Sequence, residues 1–124
     1  MVDLIVIGAG PGGYEAAAYA AKLGKKVVLF EKNELGGTCL NVGCIPTKTL
    51  LRSARALEDC REAERYGVSG GGAAVLDMKA VQARKQALIG TLTKGIAGML
   101  KRGGVEVIKA EAKLAGKGKV VAGG

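Results

Sequence analysis

The residues Gly8-Ala9-Gly10-Pro11-Gly12-Gly13 join a β-branched run to an alanine-rich one, and that junction limits what the start of this chain can become. Val2-Asp3-Leu4-Ile5-Val6-Ile7 has the continuous apolar character of a buried parallel strand. Gly13 to Leu23 reads as a helix whose alanines at 16, 17, 18, 20 and 21 permit close approach to a sheet, with Gly24 as its stop. Lys26-Val27-Val28-Leu29-Phe30-Glu31 supplies a second strand, completing a βαβ unit with a right-handed crossover. The pattern G-x-G-x-x-G alone is a weak signal. Here it follows a strand, opens a helix, and is followed 23 residues after Gly8 by Glu31 at the end of the next strand. Gly8 permits the tight turn, Gly10 lets a pyrophosphate approach the backbone, and Gly13 lets helix and strand pack closely. The helix start offers N–H donors to the phosphates. Glu31 can accept hydrogen bonds from both ribose hydroxyls, and its charge repels a 2′-phosphate, so FAD or NAD is the expected class of ligand. A tight turn without a ligand is the plain alternative.

Just downstream, Cys39 and Cys44 stand five positions apart in Gly36-Gly37-Thr38-Cys39-Leu40-Asn41-Val42-Gly43-Cys44-Ile45-Pro46-Thr47-Lys48. Five residues of ideal helix separate Cα atoms by roughly 8 to 9 Å, beyond the usual disulfide window. Both cysteines therefore cannot lie inside one regular helix. Gly43 and Pro46 set a helix start near Cys44, and Leu50, Leu51, Ala54 and Leu57 continue it as the apolar side, with Arg52, Arg55 and Glu58 on the wetter side. Cys44 is then expected at a helix N-terminus, where N–H groups and the macrodipole favour a thiolate. Cys39 is expected in a looser, more accessible stretch. Lys48, one turn after Cys44, is expected on the same face, its ammonium able to approach an electron-rich ring. A sulfur pair next to a dinucleotide loop points to FAD over NAD alone, since flavin handles both hydride and thiolate chemistry. Without the surrounding motif Lys48 would read as a solvated surface lysine.

The remainder is expected to finish one α/β unit. The cysteine helix should end near Tyr66-Gly67, and the glycine-rich stretch from Val68 to Ala74 reads as a flexible loop. Asp77 can cap a long helix through Arg102, with Val81, Leu88, Leu92, Ile96 and Met99 as its apolar stripe and Lys79, Arg84, Lys94 and Lys101 mostly off it. Gly90, Gly95 and Gly98 each weaken that helix by roughly a kcal/mol, so it depends on packing or bends. Val105 to Ile108 reads as a third parallel strand and Leu114 to Val121 as a small hairpin. Nothing closes that last element before Gly123-Gly124, which suggests a part of a longer protein.

Composition then removes several classes of function. The 124 residues are 48% apolar and 24% charged, a globular balance sufficient for one core. Met1 leads into the first strand without a cationic leader, a cleavage pattern or a membrane-length apolar run, so a cytoplasmic protein with no membrane partner is expected. In that compartment a close cysteine pair is more often catalytic or metal-binding than a structural staple. Zinc is disfavoured, because there is no histidine and only one further cysteine, Cys60, which reads as a partly buried small hydrophobe. The net charge of +8 suggests an acidic partner, yet aromatics are only 3% and the basic residues are scattered along helix faces, so no nucleic acid is expected.

The cysteine segment from Gly36 to Pro46, placed after this glycine loop, resembles the flavin-dependent pyridine nucleotide-disulfide oxidoreductases. Leu40, Ile45, Thr47-Lys48, Leu50-Leu51, Asp77-Met78, Val81 to Lys85, Leu92 to Ile96 and Gly104 to Ile108 are most similar to the branch that oxidises protein-bound dihydrolipoamide. The resemblance implies an α/β, Rossmann-like FAD-binding domain, three-layered around a parallel sheet. Residues 1–124 would be an incomplete amino-terminal portion of it, without the NAD-binding and dimerisation domains. It implies that Cys39 is the interchange thiol and Cys44 the charge-transfer thiolate beside the flavin. FAD contacts are implied at Gly8, Gly10, Pro11, Gly13, Glu31, Lys32, Gly37, Thr38 and Lys48, and at the adenine end at Ala112, where the family usually has glycine. The implied reaction takes electrons from dihydrolipoamide through the Cys39–Cys44 disulfide and FAD to NAD⁺, whose site is outside this chain. The implied partners are a second copy in a homodimer and a lipoylated acyltransferase or glycine-cleavage carrier protein of a 2-oxo acid dehydrogenase-type complex. The family's active-site base is a histidine paired with a glutamate from the partner subunit, and this chain has no histidine. Alone, it is expected not to turn over lipoamide and to bind FAD weakly or not at all. Another disulfide reductase of the family, such as glutathione or mercuric reductase, is the nearest alternative; a non-catalytic nucleotide-binding module is the more distant one, against which the intact cysteines and glycine loop both speak.

Overall fold

Three short parallel strands and the helices that connect them make the body of the chain. The computed structural model describes residues 1–123; of the terminal glycine pair, Gly124 lies outside them. The elements are β1 (Leu4–Ile7), α1 (Pro11–Lys22), β2 (Val27–Glu31), α2 (Gly37–Asn41), α3 (Cys44–Arg61), α4 (Met78–Arg102), β3 (Glu106–Lys109) and an antiparallel pair, β4 (Ala112–Leu114) with β5 (Val120–Ala122). Single 3₁₀ turns cover Ala63–Tyr66 and Gly71–Ala73. The sheet order is β1-β2-β3, with Val6 opposite Leu29 and Leu29 opposite Val107. The βαβ unit, the third parallel strand and the final hairpin all form as expected.

The central position of β2 decides where the core lies. Val27, Val28 and Leu29 are all buried, and Val27 and Leu29 join Ala17 of α1 and Ile89, Ile96 and Leu100 of α4 in one cluster with Ala9, Leu40 and Val105. Burying side chains of this size is worth roughly 1.5 to 3 kcal/mol each. The first strand departs from expectation. β1 starts at Leu4 instead of Val2, and it is an edge strand whose Leu4 and Ile7 are exposed, because β2 takes the middle of the sheet. Strand alternation puts Ile5, Ile7, Phe30 and Ile108 on the other face from Leu29, and none of those four is buried.

The long helix is where expected, and its buried face is partly the expected one. Asp77 caps α4 by accepting a hydrogen bond from the Ala80 N–H at 3.0 Å, and the helix runs unbroken to Arg102 through all three internal glycines. Its inward face is Ile89, Ile96 and Leu100, with Thr93 and Lys85 half-buried, whereas Leu88 and Leu92 are exposed. α4 packs on α1, α2, α3 and β3; of the expected stripe Ile96 is buried and Val81 and Met99 are half-buried, while these neighbours bury Ile89 and Leu100 in place of Leu88 and Leu92. α3 is corrected in the same way. Pro46 and Thr49 are its buried residues, Leu50 and Leu57 are half-buried, and Leu51 and Ala54 face outward with Arg52, Arg55 and Glu58. α3 stops at Arg61, and a 3₁₀ turn carries the chain to Tyr66 before Gly67 ends it in the left-handed region. The stretch after it is less loose than expected, since Gly71 sits so close to the Cys60 carbonyl that a Cβ there would overlap it. Cys60 itself is exposed, not partly buried, because it lies on the outer side of the last turn of α3.

Candidate functional site

The glycine loop is built by contacts that no larger residue could make. Gly8 has φ +97° and its N–H donates to the Phe30 carbonyl at 2.8 Å, which turns the chain sharply out of β1. α1 starts at Pro11, two residues earlier than expected, with Gly10 as an extended N-cap and Pro11 in the first turn, where a missing N–H costs nothing. A Cβ on Gly13 would lie 1.8 Å from the Gly8 carbonyl oxygen, so the helix can sit this close to the strand only with glycine there. A Cβ on Gly10 or Gly12 would meet nothing within 4 Å, leaving open space before the helix N-terminus. No side chain caps that end, so its N–H groups face a region where an anion would be welcome.

Glu31, at the end of β2, is fixed from both sides. One carboxylate oxygen accepts the Ala9 N–H at 2.7 Å, and the other accepts the Asn33 N–H at 2.7 Å. Each oxygen keeps a further lone pair. Glu31 and Lys32 line a cleft of about 250 Å³ with Ile7, Gly8, Phe30, Ala110, Glu111 and Ala112. Ala112, at the start of β4, is thus brought to the same cleft as Glu31, although 81 residues separate them. The exposed Lys32 side chain lies 3.7 Å from Glu111. Open glycine space, uncapped helix N–H groups and an anchored carboxylate with free lone pairs are a donor set that fits a dinucleotide with an unphosphorylated ribose.

The cysteine segment is docked onto that loop. Gly36 is buried, has φ +96°, and donates its N–H to the Ala9 carbonyl at 2.8 Å. Gly37 has φ +62°, and a Cβ on it would lie 2.7 Å from the Gly10 Cα. These two glycines permit a contact that brings the short helix α2 to the nucleotide loop. Asn41 then secures α2, its side-chain amide donating to the carbonyls of Leu35 at 3.0 Å and Gly37 at 2.9 Å, while Leu40 is buried beneath it. Gly43 makes the break between the two helices, and Cys44 is the first residue of α3, as the spacing argument requires.

Cys39 and Cys44 are both free thiols, close enough for Cys44 to act on the Cys39 proton. Cys39 is held above the ordinary thiol range, first by its side-chain hydrogen bond with Cys44, then by desolvation and by the charge Cys44 carries when ionised. The Cys44 N–H and the Lys48 ammonium act in the opposite direction on it. The accessibilities reverse the expectation. Cys39 is half-buried and Cys44 exposed, because residues 37–41 form a helix on the Leu40 core contact instead of a looser stretch. Lys48 is exposed, close enough for its charge to act on Cys39. Thr38 lies, also exposed, in a second cleft of about 370 Å³ with Glu31, Asn33, Gly37 and Asn41. The structure therefore gathers Gly8, Gly10, Pro11, Gly13, Glu31, Gly37, Thr38, Cys39, Cys44 and Lys48 around one end of β1 and β2, with Lys32 and Ala112 on the cleft at the side. Ala9, Gly36 and Asn41 were not singled out from sequence. Gly36 and Asn41 both stand in the cysteine segment that carries the resemblance, whereas Ala9 has no signal in the sequence.

A model of the family described as pyridine nucleotide-disulphide oxidoreductase matches residues 2–124. Among curated relatives, the dihydrolipoyl dehydrogenase of Rhizobium etli is 43% identical over 121 residues, which is 98% of this chain and 25% of that protein. The dihydrolipoyl dehydrogenase of Mycoplasma genitalium is 46% identical over 118 residues, 95% of this chain and 26% of its own length. One from Bacillus subtilis is 47% identical over 110 residues, 89% of this chain and 23% of that protein. The chain thus spans about a quarter of the length of these relatives.

Proposed function

The chain belongs to the pyridine nucleotide-disulphide oxidoreductase family, and on that premise we propose that it is the FAD-domain portion of a dihydrolipoamide:NAD⁺ oxidoreductase with Cys39 and Cys44 as its redox disulfide. The observation that carries this reading is the docking of the cysteine segment, through Gly36 and Gly37, onto the glycine loop, with Cys39 and Cys44 on either side of the break that starts α3. The names of the relatives support the substrate, and no helix among the described residues is long and apolar enough to cross a membrane.

In the proposed reaction a thiolate of dihydrolipoamide attacks the Cys39 sulfur of the disulfide, and the S–S bond breaks with its electron pair leaving on Cys44. The second lipoyl thiolate then displaces Cys39. Lipoamide is released as a disulfide, and the pair is left as a Cys39 thiol and a Cys44 thiolate, with two electrons gained. The high proton affinity of Cys39 suits it to be the member that holds the proton. The position of Cys44 at the first turn of α3 suits it to carry the charge. Bound FAD would supply two-electron acceptor chemistry beside the reduced pair. Gly8, Gly10, Pro11 and Gly13 would hold its pyrophosphate, Glu31 and Lys32 its ribose end with Ala112 beyond, and Gly37, Thr38 and Lys48 the part nearest the cysteines. The acid–base histidine and the NAD site lie outside this chain, so the 124 residues alone are proposed to be inactive. The working enzyme is proposed to be a cytoplasmic homodimer that serves a lipoylated carrier of a 2-oxo acid dehydrogenase-type complex.

Grafting residues 1–124 onto the remaining domains of the Bacillus subtilis relative tests the assignment. Oxidation of dihydrolipoamide with NAD⁺, lost by a factor of about 10³ or more in Cys39→Ser and Cys44→Ser, is the expected result. Turnover that survives in either cysteine variant would contradict the assignment of the pair.

A further inference from the structure

Glu31 does more in this fold than wait for a ribose. Its carboxylate takes the Ala9 N–H at 2.7 Å, and the carbonyl of that same residue takes the Gly36 N–H at 2.8 Å. Ala9 has no exposed surface, so neither of its backbone groups can exchange its partner for water without opening the core. Gly36 is the residue from which α2 springs, and Gly37 rests against the Gly10 Cα, so Cys39 follows the glycine loop within three residues. A carboxylate that accepts buried backbone N–H groups makes the stronger, charge-assisted kind of hydrogen bond. The other oxygen ties the strand exit through the Asn33 N–H at 2.7 Å, which fixes the carboxylate's own orientation.

We propose that Glu31 is a positioning residue for the cysteine pair, acting through the two backbone groups of Ala9 and the N–H of Gly36 to hold Cys39 within bonding reach of Cys44. This rests on the reading of Cys39 and Cys44 as an exchanging pair. The consequence is that the disulfide is more stable when the relay is intact, and linkage requires the converse: closing the disulfide tightens the Ala9 hydrogen bonds by the same factor. It also makes the ribose contact and the sulfur chemistry neighbours on one carboxylate, since Glu31 borders both the cleft with Lys32 and Ala112 and the cleft with Thr38.

The test equilibrates the 124-residue chain, with no flavin present, in mixtures of reduced and oxidised glutathione. Oxidised glutathione takes the two electrons as the Cys39–Cys44 bond forms. Loss of one charge-assisted bond in the relay should lower the equilibrium constant for that disulfide about tenfold in Glu31→Ala. Glu31→Gln keeps an acceptor for the Ala9 N–H and should remain within about threefold of the parent. A folded Glu31→Ala protein within twofold of the parent would overturn the proposal. Hydrogen exchange in the unaltered chain decides the matter independently of any variant that fails to fold: oxidation should slow exchange at the Ala9 and Gly36 amides about tenfold, and unchanged exchange would overturn it. If the unaltered chain forms no Cys39–Cys44 bond at any glutathione ratio, it is the functional reading that fails.

Discussion

Two thiols of one segment are made unequal by what each of them touches. Cys39 has its proton held by the Cys44 side chain and by partial burial, so at any pH below its raised pKa it has a smaller thiolate fraction than a free cysteine. Its alkylation by iodoacetamide should therefore lag behind that of the exposed Cys60, and its rate should still be rising with pH above the ordinary thiol value of about 8.5. Cys44→Ala removes the largest cause and should bring the Cys39 profile down in pH; mass-spectrometric mapping across a pH series reads both. Glycines give a second contrast at this scale. Gly13→Ala drives a Cβ to 1.8 Å from the Gly8 oxygen and should cost on the order of 3 kcal/mol, whereas Gly12→Ala, with open space around it, should stay within about 1 kcal/mol in a denaturant melt. Gly8, Gly10, Gly13 and Glu31 were legible in the sequence because a strand–turn–helix junction allows few solutions. The accessibility of Cys39 was not, because a five-residue helix has no periodicity to read and is held by Asn41 and Leu40.

At the scale of elements, position in the chain was easier to read than rotation about the axis. The limits of α4 follow from Asp77 at one end and Gly103-Gly104 at the other, both local signals. Its buried stripe does not. Ile96 lies on the stripe that periodicity picks out, but Leu88-Ile89 and Met99-Leu100 are adjacent apolar pairs, and only contact with α1, α3 and β3 selects Ile89 and Leu100 from them. The choice is measurable: Leu100→Ala should cost about 2 to 5 kcal/mol and Leu92→Ala under about 1 in equilibrium unfolding. Asp77→Ala should cost about 1 kcal/mol by leaving the Ala80 N–H without its acceptor. α3 shows the same ambiguity. Leu51 and Ala54 match the apolar pattern yet face outward, while Thr49 is buried because its hydroxyl is satisfied by donating to the Ile45 carbonyl at 2.8 Å. Arg84 of α4 adds a donor to the Thr49 carbonyl at 3.3 Å, a tie between helices that no sequence period announces.

For the molecule as a whole, the sheet and the site share one origin. Placing β2 between β1 and β3 brings the glycine loop, Glu31 and the start of β4 to one end of the strands, and the cysteine segment closes over that end. The same order leaves Leu4, Ile7 and Val107 exposed on a sheet only three strands wide. The 124-residue chain should accordingly bind the dye anilinonaphthalene sulfonate and should retain little added FAD, which flavin absorbance after gel filtration reads directly. The fold class and the two halves of the site could be read from residues 1–48 because each half is a short motif with a steric reason; their docking could not, since it runs through backbone N–H and C=O groups of Ala9 and Gly36 that every residue type carries. Cys39 and Cys44 are proposed to be a redox pair built into this segment. Mass mapping of the chain after equilibration with oxidised and then reduced glutathione tests it most directly: a Cys39–Cys44 bond that forms and is fully reversed, with Cys60 free throughout, is the predicted result, and a bridge to Cys60 or no bond between Cys39 and Cys44 would contradict it.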